Sequence, residues 1–202
     1  MLGVAEYGSP DGNVLVYCHS YPGSRLEAAA LSAHAVQAHV RVLSLDRPGY
    51  GRSTFQEDPF FLDWPRDLIA VTEHLGIERF AVMGVSGGAP FALACAQQMP
   101  ERLIACGIVS GIGPLGLGVS GMSRQNRLVL FLALCANWLL TPLLGLTARP
   151  FRDERHARKA VTKAIQHMAQ PDRDALLAHD FIVLLAASAQ ETYPPGGARS
   201  RL

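Results

Sequence analysis

The sequence lacks the excess of positive charge that nucleic-acid binding requires. Its 202 residues carry 18 Lys and Arg against 17 Asp and Glu, a formal net charge of +1. A protein that neutralises phosphates needs a basic face, so this balance argues against a nucleic-acid partner. Charged residues make up 17% of the chain and hydrophobic residues 49%. That composition is too apolar for a disordered chain, and it is sufficient for one sizeable core.

Paired cysteine motifs are also lacking. The four cysteines form no C-x-x-C pair, and none has a histidine at zinc-finger spacing; they are Cys18, Cys95, Cys106 and Cys135. We interpret them as reduced, buried, small apolar residues rather than as a zinc or redox site. The N-terminal segment, MLGVAEYGSPDGN, has neither the basic start nor the apolar run of a secretory signal. The cytoplasm is therefore the expected location.

Acidic residues are missing between Glu101 and Asp153, and Leu128–Ala148 carries no charge at all. The length of this apolar stretch and its flanking arginines are compatible with a membrane-spanning helix. Polar and helix-breaking residues interrupt its second half, at Asn137, Thr141, Pro142 and Gly145. We therefore favour an apolar helical lid, with a membrane span and a loose interfacial segment as alternatives.

Short apolar runs alternate with helical patterns along the first 110 residues. Strands are predicted at Val4–Tyr7, Asn13–Cys18, Arg41–Leu45, Phe80–Gly84 and Ile104–Ser110. Helices are predicted at Ala28–His39, Phe61–Leu75 and Gly88–Met99. This alternation predicts an α/β fold with a mostly parallel sheet that is covered by helices on both faces.

The character of the chain changes after residue 112. One amphipathic helix is predicted from about Asp153 to Ala169, and another after Pro171 that continues through Leu185. Glu191–Leu202 has no helix or strand period and is predicted to be disordered. We accordingly divide the chain into a core (1–112), a helical cap (113–190) and a tail (191–202).

The strongest local signal is the segment Gly84–Gly88, whose sequence GVSGG is a G-x-S-x-G pattern between a predicted strand and a predicted helix. A serine on a sharp strand-to-helix turn needs neighbours without bulk, and glycines satisfy that need. Such a turn would expose the Ser86 hydroxyl above the sheet edge and aim the Gly87 N–H at a developing oxyanion. A glycine-rich turn with an incidental serine is the alternative.

Two further motifs follow predicted strands. His19–Ser24 (HSYPGS) comes after the first long strand, and Asp46–Ser53 (DRPGYGRS) comes after the next. Together with GVSGG they resemble the α/β-hydrolase superfamily, in its esterase and proline-iminopeptidase-like branch. The resemblance extends over roughly residues 5–190. It implies an α/β-hydrolase sheet with a helical cap, no cofactor, no metal, and a small apolar acyl or ester substrate.

The resemblance also assigns site residues. Ser86 matches the nucleophile, and the backbone N–H groups of Tyr21 and Gly87 match the oxyanion donors. The remaining matches are supporting residues: His19 and Gly23 in the oxyanion loop, and Gly84 and Gly88 in the elbow. His19 is expected to orient the loop rather than to act as a base. Ser20 stands where the family usually has glycine, and its Cβ is expected to tighten the loop.

The acid and the histidine of a catalytic triad are not evident. The resemblance places them after strands beyond the cap, in the order Ser, Asp or Glu, His. The histidines after Ser86 all lie on predicted cap helices; they are His156, His167 and His179. We therefore expect a sheet that is incomplete at its C-terminal side, with an edge that favours homo-oligomers.

A serine hydrolase of ester or acyl type is the preferred function, although the missing base makes the activity of the chain doubtful. The first alternative is a non-catalytic ligand-binding protein or truncated pseudo-hydrolase that keeps the pocket. A distant third is a membrane-associated protein anchored through residues 128–148.

Overall fold

A five-stranded sheet forms the centre of the computed structural model, which describes residues 1–56, 60–113, 118–122, 124–136, 146, 148–166, 168–177 and 181–192. The strands are β1 (Val4–Gly8), β2 (Asn13–Cys18), β3 (Val40–Leu45), β4 (Phe80–Val85) and β5 (Leu103–Val109). Their order is β1-β3-β2-β4-β5. β1 runs antiparallel to β3 and the other three pairings are parallel, which confirms the mostly parallel sheet.

The middle of the sheet is buried because its strands are almost continuously apolar. Val16 on β2 pairs with Leu43 on β3 and with Val82 on β4, and all three side chains are fully buried. Alternate residues point to opposite faces, so Val16 and Cys18 enter one apolar cluster while Tyr17 enters the other.

Two helices cover the first face, α2 (Trp64–His74) and α3 (Ala89–Gln98). Pro65 occupies the first turn of α2, where its missing N–H leaves no helical bond unmade. The helix side chains in this cluster include Trp64, Leu68, Ala92 and Cys95.

The second face carries a 3₁₀ segment (Arg25–Leu31) that leads into α1 (Ser32–Gln37). The predicted single helix from Ala28 to His39 was therefore wrong in its start and in its end. Ser24 caps the 3₁₀ segment by accepting a hydrogen bond from the Leu26 N–H, and Ser24 with Glu27 forms the S-x-x-E pattern of a helix start. His39 has a φ of 53°, which ends the helical course just before β3.

β5 departs from the expectation that helices cover both faces of the sheet. Its residues from Ile104 to Val109 are exposed. Within the described residues, β5 pairs only with β4 and forms an edge of the sheet.

Beyond the sheet the described helices are α4 (Arg124–Cys135), α5 (Glu154–Ile165), α6 (Gln170–Leu177) and α7 (Phe181–Thr192). The second predicted cap helix thus corresponds to two helices, α6 and α7. Residues 137–145 and 147 of the apolar stretch lie outside the described residues. None of the described helices has both the length and the apolar character that crossing a bilayer would require.

The predicted disordered tail was wrong at its first two residues. Glu191 and Thr192 form the last turn of α7, because both side chains bond to the core. The rest of the predicted tail, residues 193–202, lies outside the described residues.

Candidate active site

Ser86 lies at the turn between β4 and α3 with a φ of +50°. This left-handed conformation costs a non-glycine residue about 1–2 kcal/mol. The turn passes so close to other backbone that its glycines cannot be replaced freely. A Cβ on Gly84 would lie 2.6 Å from the Gly88 carbonyl oxygen, and one on Gly88 would overlap the carbonyl oxygens of Cys18 and His19. The glycines therefore allow the segment Gly84–Gly88, here called the elbow, to pack against the end of β2.

The elbow faces the loop that follows β2. A Cβ on Gly87 would lie 3.3 Å from the backbone nitrogen of Tyr21 and 3.0 Å from its Cβ. This close approach brings the backbone of Gly87 beside the amide of Tyr21, the two positions predicted to supply oxyanion donors. The segment His19–Ser24 is called the oxyanion loop below, after the role that the sequence predicts.

A buried carboxylate lies on one side of the oxyanion loop. Glu27 is 7% exposed and accepts hydrogen bonds from the Ser20 hydroxyl at 2.6 Å and the Ser20 N–H at 3.1 Å. It also accepts one from the Tyr17 hydroxyl at 2.6 Å. Burial and the adjacent Glu27 carboxylate raise the pKa of Tyr17, so Tyr17 stays a donor. Both donor groups of Ser20, its N–H and its hydroxyl, are therefore satisfied by Glu27.

A buried guanidinium lies on the other side. Arg47 is 4% exposed and donates to the carbonyl oxygens of Ser20 at 2.9 Å and Gly87 at 3.0 Å. Its guanidinium carbon also lies 4.6 Å from the centre of the Tyr50 ring and 4.8 Å from that of Phe91. Burial lowers the pKa of Arg47, but an arginine remains a cation at any physiological pH.

His19 is fully buried beneath the same loop. Its Nδ1 lies 3.0 Å from the Ser20 carbonyl oxygen, and its Nε2 lies 3.4 Å from the backbone nitrogen of Arg47. The Arg47 backbone N–H can only donate, so Nε2 accepts and Nδ1 carries the proton toward the Ser20 carbonyl. The Arg47 Nη2 also lies 3.2 Å from Nδ1, where with this tautomer it makes a contact but not a hydrogen bond. Burial, and secondly the Arg47 charge, hold the pKa of His19 well below its usual value. The ring is therefore neutral and both of its nitrogens are engaged.

Helix α7 bonds to the end of the oxyanion loop. The Ser24 N–H donates to the Ser188 hydroxyl at 2.8 Å, and the Thr192 hydroxyl donates to the Gly23 carbonyl at 2.6 Å. The Arg25 guanidinium, directly after the loop, bonds to Asp46 at 2.6 Å and to Glu191 of α7. α7 is thus joined to the core by three contacts that follow one another along the chain.

None of the described histidines forms a hydrogen bond with the Ser86 hydroxyl. His156 instead bonds to Asp153 on α5 through Nδ1 at 2.6 Å, and its side chain is 67% exposed. That bond lowers the pKa of Asp153. His167 and His179 lie outside the described residues. Within the described part of the chain, no three His, Cys, Asp or Glu side chains cluster as metal ligands would.

The sequence of the chain matches a family model described as alpha/beta hydrolase fold over residues 13–187. This chain belongs to that family. The matched residues include β2 to β5 and the segment Gly84–Gly88, and they begin after β1.

Curated members of the family show which activities occur among its relatives. The chain is 34% identical to a proline iminopeptidase of Neisseria gonorrhoeae over 101 residues, which are 48% of this chain and 32% of that protein. It is 30% identical to a bifunctional esterase/perhydrolase of Acinetobacter calcoaceticus over 112 residues, which are 54% and 41% of the two chains. The matched segments thus span well under half of these relatives.

Solved structures share the fold. A thioesterase domain from the curacin biosynthetic pathway superposes with a TM-score of 0.61 at 22% identity, covering 98% of this chain and 67% of that one. An N-acyl homoserine lactone degrading enzyme superposes with a TM-score of 0.58 at 17% identity, covering 92% and 61%. At these identities the likeness shows the fold alone.

Three features of the site were not predicted from the sequence. The S-x-x-E pattern could have indicated the 3₁₀ segment, but not that the Glu27 side chain turns to Ser20. Arg47 belongs to the DRPGYGRS motif, but its bonds to the carbonyl oxygens of Ser20 and Gly87 were not predicted. The contacts of α7 had no signal, because they join residues about 164–169 positions apart.

Proposed function

We propose that this protein is a serine hydrolase acting on ester or related acyl substrates, with Ser86 as its nucleophile. One observation carries the proposal: Ser86 occupies a left-handed turn whose next residue, Gly87, lies against the Tyr21 amide. The esterase and iminopeptidase activities of its relatives support the reaction class. The ester or acyl substrate and the role of each residue belong to the proposal.

The proposed reaction proceeds through an acyl-enzyme. The Ser86 oxygen forms a bond to the carbonyl carbon, and the Tyr21 and Gly87 N–H groups donate to the oxygen that becomes negative. Collapse of the tetrahedral intermediate breaks the bond to the leaving group, which departs with a proton. Water then hydrolyses the acyl-enzyme and regenerates the serine.

A base must take the Ser86 proton, and we propose that the described residues do not supply it. His19 is engaged at both nitrogens, and His156 is bonded to Asp153. Without a base, a triad enzyme retains only its oxyanion site and binding, a residual acceleration of roughly 10³–10⁴ over water. Slow acylation is therefore expected.

The test is labelling of Ser86 by a fluorophosphonate, read by peptide mass mapping, with and without added imidazole as an external base. We expect slow labelling that rises with imidazole concentration and is absent in Ser86→Ala. Ser110→Ala is the matched control, since Ser110 also ends a strand with a positive φ of 48°. Imidazole-independent fast labelling of Ser86 would refute the missing-base argument. No labelling of Ser86 at any imidazole concentration would refute the nucleophile.

A non-catalytic ligand-binding protein is the second candidate, favoured by the absence of a described histidine bonded to Ser86. It predicts that the wild type and Ser86→Ala bind a small apolar ester equally well and that neither reacts. A cytoplasmic location also stays a proposal, supported by four free cysteines. Cys106 and Cys135 are exposed, so the prediction that all four are buried was wrong for these two.

A further inference from the structure

We propose that Arg47 is a positioning residue for the oxyanion site, because its guanidinium joins the two segments whose amides would hold the oxyanion. This inference rests on the proposed function for its catalytic consequence. The structural part, that Arg47 sets the relation between the Tyr21 and Gly87 amides, can be tested by itself.

The hydrogen bonds of Arg47 define the arrangement. One terminal nitrogen donates to the Gly87 carbonyl at 3.0 Å and the other to the Ser20 carbonyl at 2.9 Å. The planar guanidinium thus spans from the elbow to the oxyanion loop, and its rigid fork fixes the distance between them. A lysine in its place could reach one carbonyl at a time.

The Ser20 carbonyl has a direct link to the site. It shares one peptide unit with the Tyr21 N–H, so a cation bonded to the oxygen makes that N–H a stronger donor. On the other side of Ser20, the Glu27 carboxylate accepts the Ser20 N–H and hydroxyl. The residue before the proposed donor is therefore held between a carboxylate and a guanidinium, which fixes the direction of the Tyr21 N–H.

The charge of Arg47 remains available to an anion. No described carboxylate lies within ion-pair distance of its guanidinium, which instead contacts carbonyl oxygens, His19 and the rings of Tyr50 and Phe91. Glu27 acts on this cation from beyond ion-pair distance, and the low-dielectric surroundings strengthen the attraction between a buried cation and a further negative charge nearby. The site should therefore stabilise an oxyanion more than a neutral carbonyl, which is what lowers a reaction barrier.

The experiment compares Arg47→Met, Arg47→Lys and the control Arg41→Met, which removes an arginine that pairs with Glu6 at the surface. The first readout is the backbone amide NMR spectrum. We expect the Tyr21 and Gly87 amide signals to move in Arg47→Met, to move less in Arg47→Lys, and to stay in place in Arg41→Met. Unchanged Tyr21 and Gly87 signals in Arg47→Met would overturn the inference. If Arg47→Met fails to fold, Arg47→Lys replaces it: movement of the Tyr21 and Gly87 signals in that variant supports the inference, and unchanged signals overturn it.

The second readout is fluorophosphonate labelling of Ser86 at fixed imidazole concentration, separated into the probe's affinity and its maximal rate. We expect the maximal rate to fall at least about 10-fold in Arg47→Met, with affinity unchanged, since oxyanion donors act in the transition state. Arg47→Lys should retain part of the maximal rate that Arg47→Met loses. A loss of probe affinity in Arg47→Met with an unchanged maximal labelling rate would contradict the positioning role. If the wild type is not labelled, the proposed function fails, and the amide signals alone decide whether Arg47 positions the loop.

Discussion

The beginning and the end of the oxyanion loop are held by different parts of the chain. Ser20 is held by Glu27, 7 residues further along the chain, and by Arg47, 27 residues further along it. Gly23 and Ser24 are held by α7, from about 164–169 residues away. The amide-bearing part of the site therefore depends on contacts made within the core, by the 3₁₀ segment and by the loop after β3. The distant helix instead secures the point where the loop enters the 3₁₀ segment.

The largest effect is expected when the core contact is broken. Glu27→Ala leaves the Tyr17 hydroxyl, the Ser20 hydroxyl and the Ser20 N–H without their acceptor. An unsatisfied buried donor costs about 1–3 kcal/mol, so we expect unfolding to become easier by about 3–5 kcal/mol. Denaturant titration measures this change. Glu6→Ala, which removes a surface carboxylate, is the control. An equal loss of unfolding free energy in the two variants would contradict the burial of Glu27.

The next effect concerns pH and again lies in the core. The pKa of His19 is lowered in the folded protein, whereas in the unfolded chain it is about 6.5. As pH falls below about 6.5, the unfolded chain binds a proton at His19 and the folded protein does not. Protonation therefore stabilises the unfolded state, and the stability that His19 contributes at higher pH is lost. The expected loss is up to about 1.4 kcal/mol per pH unit.

Unfolding curves between pH 7.5 and pH 5 compare the wild type with His19→Gln. The carboxylates contribute equally to both proteins, so the difference in slope isolates His19. Parallel pH profiles would show that His19 is not buried in its neutral form.

A smaller effect is expected at the α7 contact. Thr192→Val removes the hydrogen bond to the Gly23 carbonyl, and the expected loss is about 1 kcal/mol. Thr162→Val is a matched control, because Thr162 also bonds to a carbonyl of its own helix but has no bond to the loop. We expect the labelling rate of Ser86 to be unchanged in both variants. If Thr192→Val lowered the labelling rate of Ser86 as much as Arg47→Met does, the contacts of α7 and those of Arg47 would not differ in their effect on the site.

The smallest effect on stability is expected at the β5 edge of the core, which we propose as a surface for homo-oligomers. Ile108 is 42% exposed, and Ile108→Lys should change stability by at most about 0.5 kcal/mol while it reduces self-association. Sedimentation over a range of concentrations measures the association. Val36→Lys, at an exposed position on α1, is the control. A wild type that stays monomeric at all concentrations would contradict the proposal.

The same comparison explains how much the sequence could predict. The β2 bounds were predicted correctly, and the β3, β4 and β5 bounds to within a residue, because continuous apolar runs between turn residues are local signals. The elbow was predicted for the same reason, because a serine on a sharp strand-to-helix turn requires small residues next to it in the sequence. The partners of Glu27 and Arg47 depend on how strands are arranged in the sheet. The α7 contacts depend on a fold that returns to the first loop, and so they could not be predicted from any local pattern.

The central claim is that Ser86 is a nucleophile beside a preformed oxyanion site but without a base among the described residues. Incubation with 4-nitrophenyl acetate, followed by mass measurement of the intact chain and its peptides, tests this directly. We expect slow addition of one acetyl group, located on Ser86, that persists because no residue in the described part of the chain assists its hydrolysis as a base, and we expect no such addition in Ser86→Ala. Acetylation that is equal in the two proteins, or rapid turnover that depends on Ser86, would contradict it.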